Sequence, residues 1–188
     1  MRFSSRERRH FGFISAAVAA IPSLALAQTS YTWETGSGDW NTPTHWTPRG
    51  VPGAPGDTAT IIPTVSSGLI TITYDYTGTA SFLNALTMGS ASGGTELTTF
   101  SMAADTLLAD TETIGDPGTV TFSQIGGTNS TGTSGSVYIA MSPGSTGSYS
   151  LSGTGSLAAA TPTAPMASSP DSHPAKSKSC RLLLATPR

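Results

Sequence analysis

Residues 111–157 read TETIGDPGTVTFSQIGGTNSTGTSGSVYIAMSPGSTGSYSLSGTGSL, and one phrase returns within them in altered form. Val120-Thr-Phe122-Ser123 and Tyr149-Ser-Leu151-Ser152 share an alternation of apolar and hydroxyl residues, 29 positions apart, behind Gly118 and Gly147. Further upstream, Thr98-Thr-Phe100-Ser101 echoes the first of them. A second phrase places an apolar residue before a small one: Leu86-Thr-Met88-Gly89, Glu112-Thr-Ile114-Gly115 and Val137-Tyr-Ile139-Ala140. Met88, Ile114 and Ile139 are spaced by 26 and 25 residues. Such wavering is what a repeat shows when loops on one side vary in length.

The local period is two. Val120, Phe122 and Ile114 face one way, and Thr119, Thr121 and Ser123 the other, which is the signature of a half-buried strand. Asp116-Pro-Gly118, Ile125-Gly-Gly127 and Ser142-Pro-Gly144 punctuate the strands as turns. A unit of about 25 residues with two short strands cannot bury its apolar face alone, and stacking on a neighbour solves that problem. The expectation is an all-β fold, a right-handed parallel β-helix or solenoid over residues 66–160. Leu69-Ile-Thr-Ile72-Thr-Tyr74 joins it as a further strand, giving about four or five coils. A β-sandwich of regularly spaced short strands is the alternative.

Composition agrees. Charged residues make up 11% of the 188 residues, well under the usual quarter. Between Gln28 and Ala160 nine carboxylates stand against Arg49 alone, a net charge of −8. That balance repels phosphate and excludes a nucleic-acid partner. The single cysteine, Cys180, excludes an intrachain disulfide framework.

Before residue 28, Arg2, Arg6, Arg8 and Arg9 precede the apolar run Phe11–Ala27, which ends Ala25-Leu-Ala27. A basic n-region, an apolar h-region and a small-x-small site make a signal peptide over residues 1–27, cleaved after Ala27. Arg8-Arg9-His10-Phe11 also resembles a twin-arginine export motif, and a generic basic n-region reads equally well. No second apolar run reaches the length of a membrane span. The expected location is therefore outside the cell or on its surface.

Residues 28–65 carry all three tryptophans, Trp33, Trp40 and Trp46. Large flat side chains cover the open end of a stacked core efficiently, so an N-terminal cap is one reading. The other is a carbohydrate-stacking platform. Tyr31-Thr-Trp33, Gly38-Asp39-Trp40-Asn41, His45-Trp46 and Val51-Pro52…Gly56-Asp57-Thr58-Ala59 resemble the opening of bacterial secreted proteins with autotransporter-associated β-strand repeats. The phrases GTVTFSQIGGTNS and GSYSLSGTGSL are similar to the repeats of the same group. The resemblance spans about residues 31–157. It implies a β-helical, passenger-like region at the cell surface and names no ligand. No barrel strands or sorting helix follow in this sequence.

Residues 161–188 change character, with five of the 13 prolines and Lys176, Lys178, Arg181 and Arg188. They read as a disordered tail or as the product of a shifted reading frame.

Chemistry-bearing motifs are sparse. No H-E-x-x-H, G-x-S-x-G, C-x-x-C, P-loop or dinucleotide fingerprint is present. His45 reads as a solvated loop residue. Asp105, Asp110, Glu112 and Asp116 are the densest carboxylates and could in principle ligate Ca²⁺, but the G-G-x-G-x-D calcium repeat is lacking. They read as solvated turn residues, and no metal or cofactor is expected. A polysaccharide-active enzyme needs two carboxylates across a cleft, and no such pair can be named. The sequence points first to an extracellular structural or adhesive β-helix contacting polysaccharide or cell-surface components. Second comes a carbohydrate-binding module using Trp33, Trp40 and Trp46, and third a polysaccharide-active enzyme.

Overall fold

The computed structural model describes residues 27–34, 36–63, 68–90 and 96–159, and the backbone of 179–184. Apart from Ala27, residues 1–27, expected to be a signal peptide, lie outside the described residues. The chain winds through three faces in turn. The first coil holds β1 (Ser30–Trp33), β2 (Gly38–Asp39), a 3-10 turn at Pro43–His45, and β3 (Trp46–Thr47). The second holds β4 (Thr58–Ile61) and β5 (Leu69–Tyr74). The third has a strand on every face: β6 (Ala85–Met88), β7 (Leu97–Met102) and β8 (Thr106–Leu108). The fourth repeats it with β9 (Thr111–Ile114), β10 (Thr119–Gln124) and β11 (Thr128–Ser130). The fifth has β12 (Ser136–Ile139), β13 (Thr146–Leu151) and β14 (Ser156–Ala158), and β15 (Ser179–Leu184) follows.

Corresponding strands pair to form three sheets. The first sheet runs β12-β9-β6-β4-β1-β3, the second β15-β13-β10-β7-β5-β2, and the third β14-β11-β8. Every pairing is parallel except β1 with β3, where the chain doubles back at the N-terminal end. The architecture is the expected β-solenoid, of about four turns. Parallel neighbours one coil apart need a long connection, and here the other two faces of the coil supply it.

Register follows the apolar phrases. Met88 lies beside Ile114, and Ile114 beside Ile139, so the spacing of 26 and 25 residues is one coil. Phe100 lies beside Phe122, as their shared phrase requires. The register between β10 and β13 is a correction. Phe122 faces Tyr149 and Val120 faces Gly147, so this coil advances by 27 residues and not 29. A two-residue slip leaves the same side chains on the inner face, and two contacts decide it. The Phe122 and Tyr149 rings stack at 4.5 Å and 15°. A Cβ on Gly147 would reach to 2.7 Å from Ile139 Cγ2, so the methyl of Ile139 occupies that space.

The inner columns make the core. Ile72, Phe100, Phe122 and Tyr149 stack along the second sheet, and Ile61, Met88, Ile114 and Ile139 along the first. All but Ile139 are fully buried. Each such residue contributes about 2 kcal/mol when removed from water, which a solitary coil could not gain. The outer positions form hydroxyl ladders: Thr32–Thr60–Thr87–Thr113 on the first sheet, and Thr71–Thr99–Thr121–Ser148 on the second. Ser148 Oγ donates to Thr121 Oγ1 at 3.0 Å.

Each inner phrase ends at a corner where the chain turns onto the second sheet. Gly115 takes φ 74° there, and Ala140 holds the following coil's corner at φ 54°. The left-handed region costs an L-residue about 1–2 kcal/mol relative to glycine. Ala140→Gly is therefore expected to raise unfolding free energy by about 1 kcal/mol in urea titrations. Gly115→Ala should lower it by more, because its Cβ would enter the carbonyl of Thr146.

The strand β15 lies within the segment expected to be a disordered or frame-shifted tail, and there it continues the second sheet beside β13. The remainder of residues 161–188 lies outside the described residues.

Candidate functional site

Trp33, Trp40 and Trp46 occupy the end of the stack formed by β1, β2 and β3. They are 1%, 1% and 2% exposed. Their rings meet edge to face, Trp33 with Trp46 at 5.0 Å and Trp40 with Trp46 at 4.7 Å. Trp40 continues into the core against Tyr74 and Phe100 at 5.2 and 5.9 Å. Each indole N–H donates to a backbone carbonyl: Trp33 to Gly36 at 2.9 Å, Trp40 to Pro52 at 3.2 Å, and Trp46 to Trp40 at 2.9 Å. A sugar-stacking platform needs coplanar rings open to solvent. These rings are neither coplanar nor open, and they plug the end of the apolar core. His45 lies edge-on to Trp33 at 4.9 Å, beside that plug.

Asp57 ties the cap to the next coil. Its carboxylate is buried and accepts from the N–H groups of Thr29, Gly53 and Ala54 at 3.1, 3.2 and 2.9 Å.

The four carboxylates of residues 105–116 do not assemble. Asp105 and Asp110 are exposed on turns, Asp116 is half-buried at a corner, and Glu112 points into the core. Among the described residues no group of three His, Cys, Asp or Glu side chains is placed to hold a metal ion. Glu112 corrects its expectation as a solvated turn residue. It occupies the inner slot that Leu86 fills one coil earlier and Val137 one coil later.

Around Glu112 the apolar column gives way to a polar network. Its Oε2 accepts from Asn129 Nδ2 at 3.0 Å, and the same amide donates to the Tyr149 hydroxyl at 3.1 Å. Tyr149 donates to Gln124 Oε1. Gln124 Nε2 donates to the carbonyls of Gly127 and Ser156 at 3.0 and 3.1 Å. Glu112, Gln124 and Asn129 lie on β9, β10 and β11, so one coil sends a polar side chain inward from each of its three faces. Tyr149 joins them from the coil above. All four are 0% exposed. Glu112 Oε1 and Asn129 Oδ1 are buried without a partner.

Electrostatics select the neutral acid at Glu112. Burial pushes its pKa from 4.5 up to about 7, and the Asn129 hydrogen bond pulls partly the other way. A proton on the carboxyl also turns one of two acceptors into a donor, which suits a site already holding the unpaired Asn129 Oδ1. The Tyr149 hydroxyl is likewise raised by burial. The network can take up or release a proton, but its four side chains are closed to solvent and to any substrate.

No protein-family model, curated protein or solved structure matches the chain.

The network was missed at the sequence level, although a signal was present. Glu112-Thr-Ile114-Gly115 sits in a repeat whose other copies begin with Leu86 and Val137. A carboxylate in an apolar slot of a repeat is a buried carboxylate. Asn129 gave no such sign, because β11 contributes a single inward residue.

Proposed function

We propose that the protein is an extracellular structural or adhesive β-solenoid of a bacterial cell surface. The observation that carries this reading is the run of uncharged hydroxyl ladders along the solenoid, coil after coil, on both six-stranded sheets. β-Branched threonine has few χ1 rotamers, so such a ladder presents hydroxyls with little rotamer freedom left to lose on contact. Many weak hydrogen bonds made together give avidity that no single one supplies. A polysaccharide or another hydroxyl-rich component of a cell surface is the partner class that fits. The signal peptide expected at residues 1–27 and the resemblance of residues 31–157 to autotransporter-associated repeats support export and surface display.

The test is made on intact cells carrying an epitope-tagged copy. The tag should be removed by added protease while a cytoplasmic marker survives, and deleting the gene should reduce attachment to polysaccharide-coated surfaces several-fold. A tag that only lysis exposes would refute surface display. Unchanged attachment after deletion would refute the adhesive role.

A further inference from the structure

The polar network inside the fourth coil is lopsided. Three of its bonds cross to the fifth coil: Asn129 Nδ2 to the Tyr149 hydroxyl, Tyr149 to Gln124 Oε1, and Gln124 Nε2 to the Ser156 carbonyl. Among the described residues none crosses to the third coil, where the inner neighbours of Glu112, Gln124 and Asn129 are Leu86, Met102 and Leu107. All three are apolar and buried. The network therefore ties the fifth coil to the fourth and leaves the coils beneath to apolar contact.

Its hydrogen bonds run in one direction. The carbonyls of Gly127 and Ser156 only accept, which fixes Gln124 with Nε2 toward them and Oε1 toward Tyr149. Tyr149 must then donate to Gln124 and accept from Asn129 Nδ2. Both Nδ2 hydrogens of Asn129 are spent, one on Tyr149 and one on Glu112 Oε2. Asn129 Oδ1 and Glu112 Oε1 are left as buried acceptors without a donor. A proton on Glu112 Oε1 answers both, because the carboxyl that meets the amide through Oε2 then also carries a donor. Without that proton a charge and two unmet acceptors stay inside the core, at a cost that loosens whatever the network holds.

No neighbouring charge offsets the loss. The inner side chains around Glu112 come from Leu86 on β6, Gln124 on β10, Asn129 on β11, Val137 on β12 and Tyr149 on β13. Tyr149 alone among them titrates, and burial keeps its hydroxyl neutral, as it does that of Tyr74 further down the core. No Lys, Arg or His occurs between residues 58 and 158. Arg181 on β15 stands beside Ser148, an outward position. Asp105, Asp110 and Asp116 lie at turns and corners, and Glu96 is buried just before β7.

We propose that this network is a proton-operated clasp: the protonated form locks residues 136–158 onto the fourth coil, and loss of the Glu112 proton releases that coil while the coils beneath stay folded. Burial raises the carboxyl from 4.5 to about 7. The lock is therefore complete below pH 4.5 and is lost as pH rises through 7.

Hydrogen exchange of the full chain tests this. Thr146, Ser152 and Ser156 of the fifth coil donate their amides to Gly118, Gln124 and Gly127 of the fourth at 2.8, 2.9 and 2.9 Å, and Asn84 and Gly89 donate to Asp57 and Ile61 lower in the stack at 2.8 and 2.7 Å. At pH 8 the first set should be roughly tenfold less protected than the second, as a local opening requires. Its protection, corrected for the intrinsic exchange rate, should fall on the order of a hundredfold between pH 4.5 and pH 8. In Glu112→Gln that fall should vanish. Should the variant not fold, the pH profile of the unaltered chain decides. Equal protection of the two sets would mean that the stack opens only as a whole, and would overturn the proposal. So would protection of the fifth coil that is independent of pH, or a fall that persists in Glu112→Gln.

Discussion

Glu112→Gln is expected to stabilise the protein by up to about 3 kcal/mol at pH 8 and to leave it little changed at pH 4. In the folded chain the Glu112 carboxyl titrates near 7, against 4.5 for the free group. The folded state therefore holds this proton more tightly than the unfolded state. The stability linked to the proton is fully present below pH 4.5 and is lost as pH rises through 7. The slope is about 1.4 kcal/mol per pH unit across that window. Glutamine copies the neutral acid and cannot ionise, so its curve should be flat where the parent's falls. Urea unfolding at a series of pH values measures both. Parallel curves between pH 4.5 and 7 would mean that Glu112 is ionised in the fold at neutral pH.

Trp40→Ala should be the most damaging single change, costing about 4 kcal/mol. Two losses account for it. The ring fills the space between Trp46, Tyr74 and Phe100, and its N–H reaches the Pro52 carbonyl, while the main-chain carbonyl that accepts from Trp46 is retained. Alanine keeps the carbonyl but leaves a cavity that opens the apolar column beneath the cap. By comparison, Thr99→Ala on the outer ladder should change stability by less than about 0.5 kcal/mol. Thermal and urea unfolding of the two variants side by side is the measurement. A small loss from Trp40→Ala would show that the tryptophans do not close the core.

The first two sheets were legible in the sequence and the third was not. On the first sheet Met88, Ile114 and Ile139 repeat with a following glycine or alanine, so phrase and register coincide. On the second sheet the six-residue strands give three inward positions each, enough for a period of two to be seen. The third sheet's strands are three residues long, with one inward residue apiece: Leu107, Asn129 and Leu157. A single residue has no period, so a coil of three strands read as a coil of two. The β10–β13 register slipped in the reading because glycine was aligned with glycine. Gly118 serves a corner at φ 84° and Gly147 serves close packing against Ile139, two different reasons for the same residue. From their place in the chain the tryptophans read equally as a cap or as a sugar platform, and their burial, which no local sequence pattern announces, is what the structure adds.

That all three indoles lie at one end gives the protein an uneven optical reporter. Tryptophan emission will register events in the first coils and be blind to fraying of the last. Tyr31, Tyr74 and Tyr76 lie in the first two coils, so the signal specific to the far end is the dichroism of the stacked Phe122–Tyr149 pair, followed in a Tyr31→Phe, Tyr74→Phe, Tyr76→Phe background. If the solenoid melts from its last coil, that signal will change at lower denaturant than tryptophan emission. The gap between the two midpoints would then measure the coupling between neighbouring coils directly. A single coincident transition would mean that the stack unfolds as one unit from cap to edge.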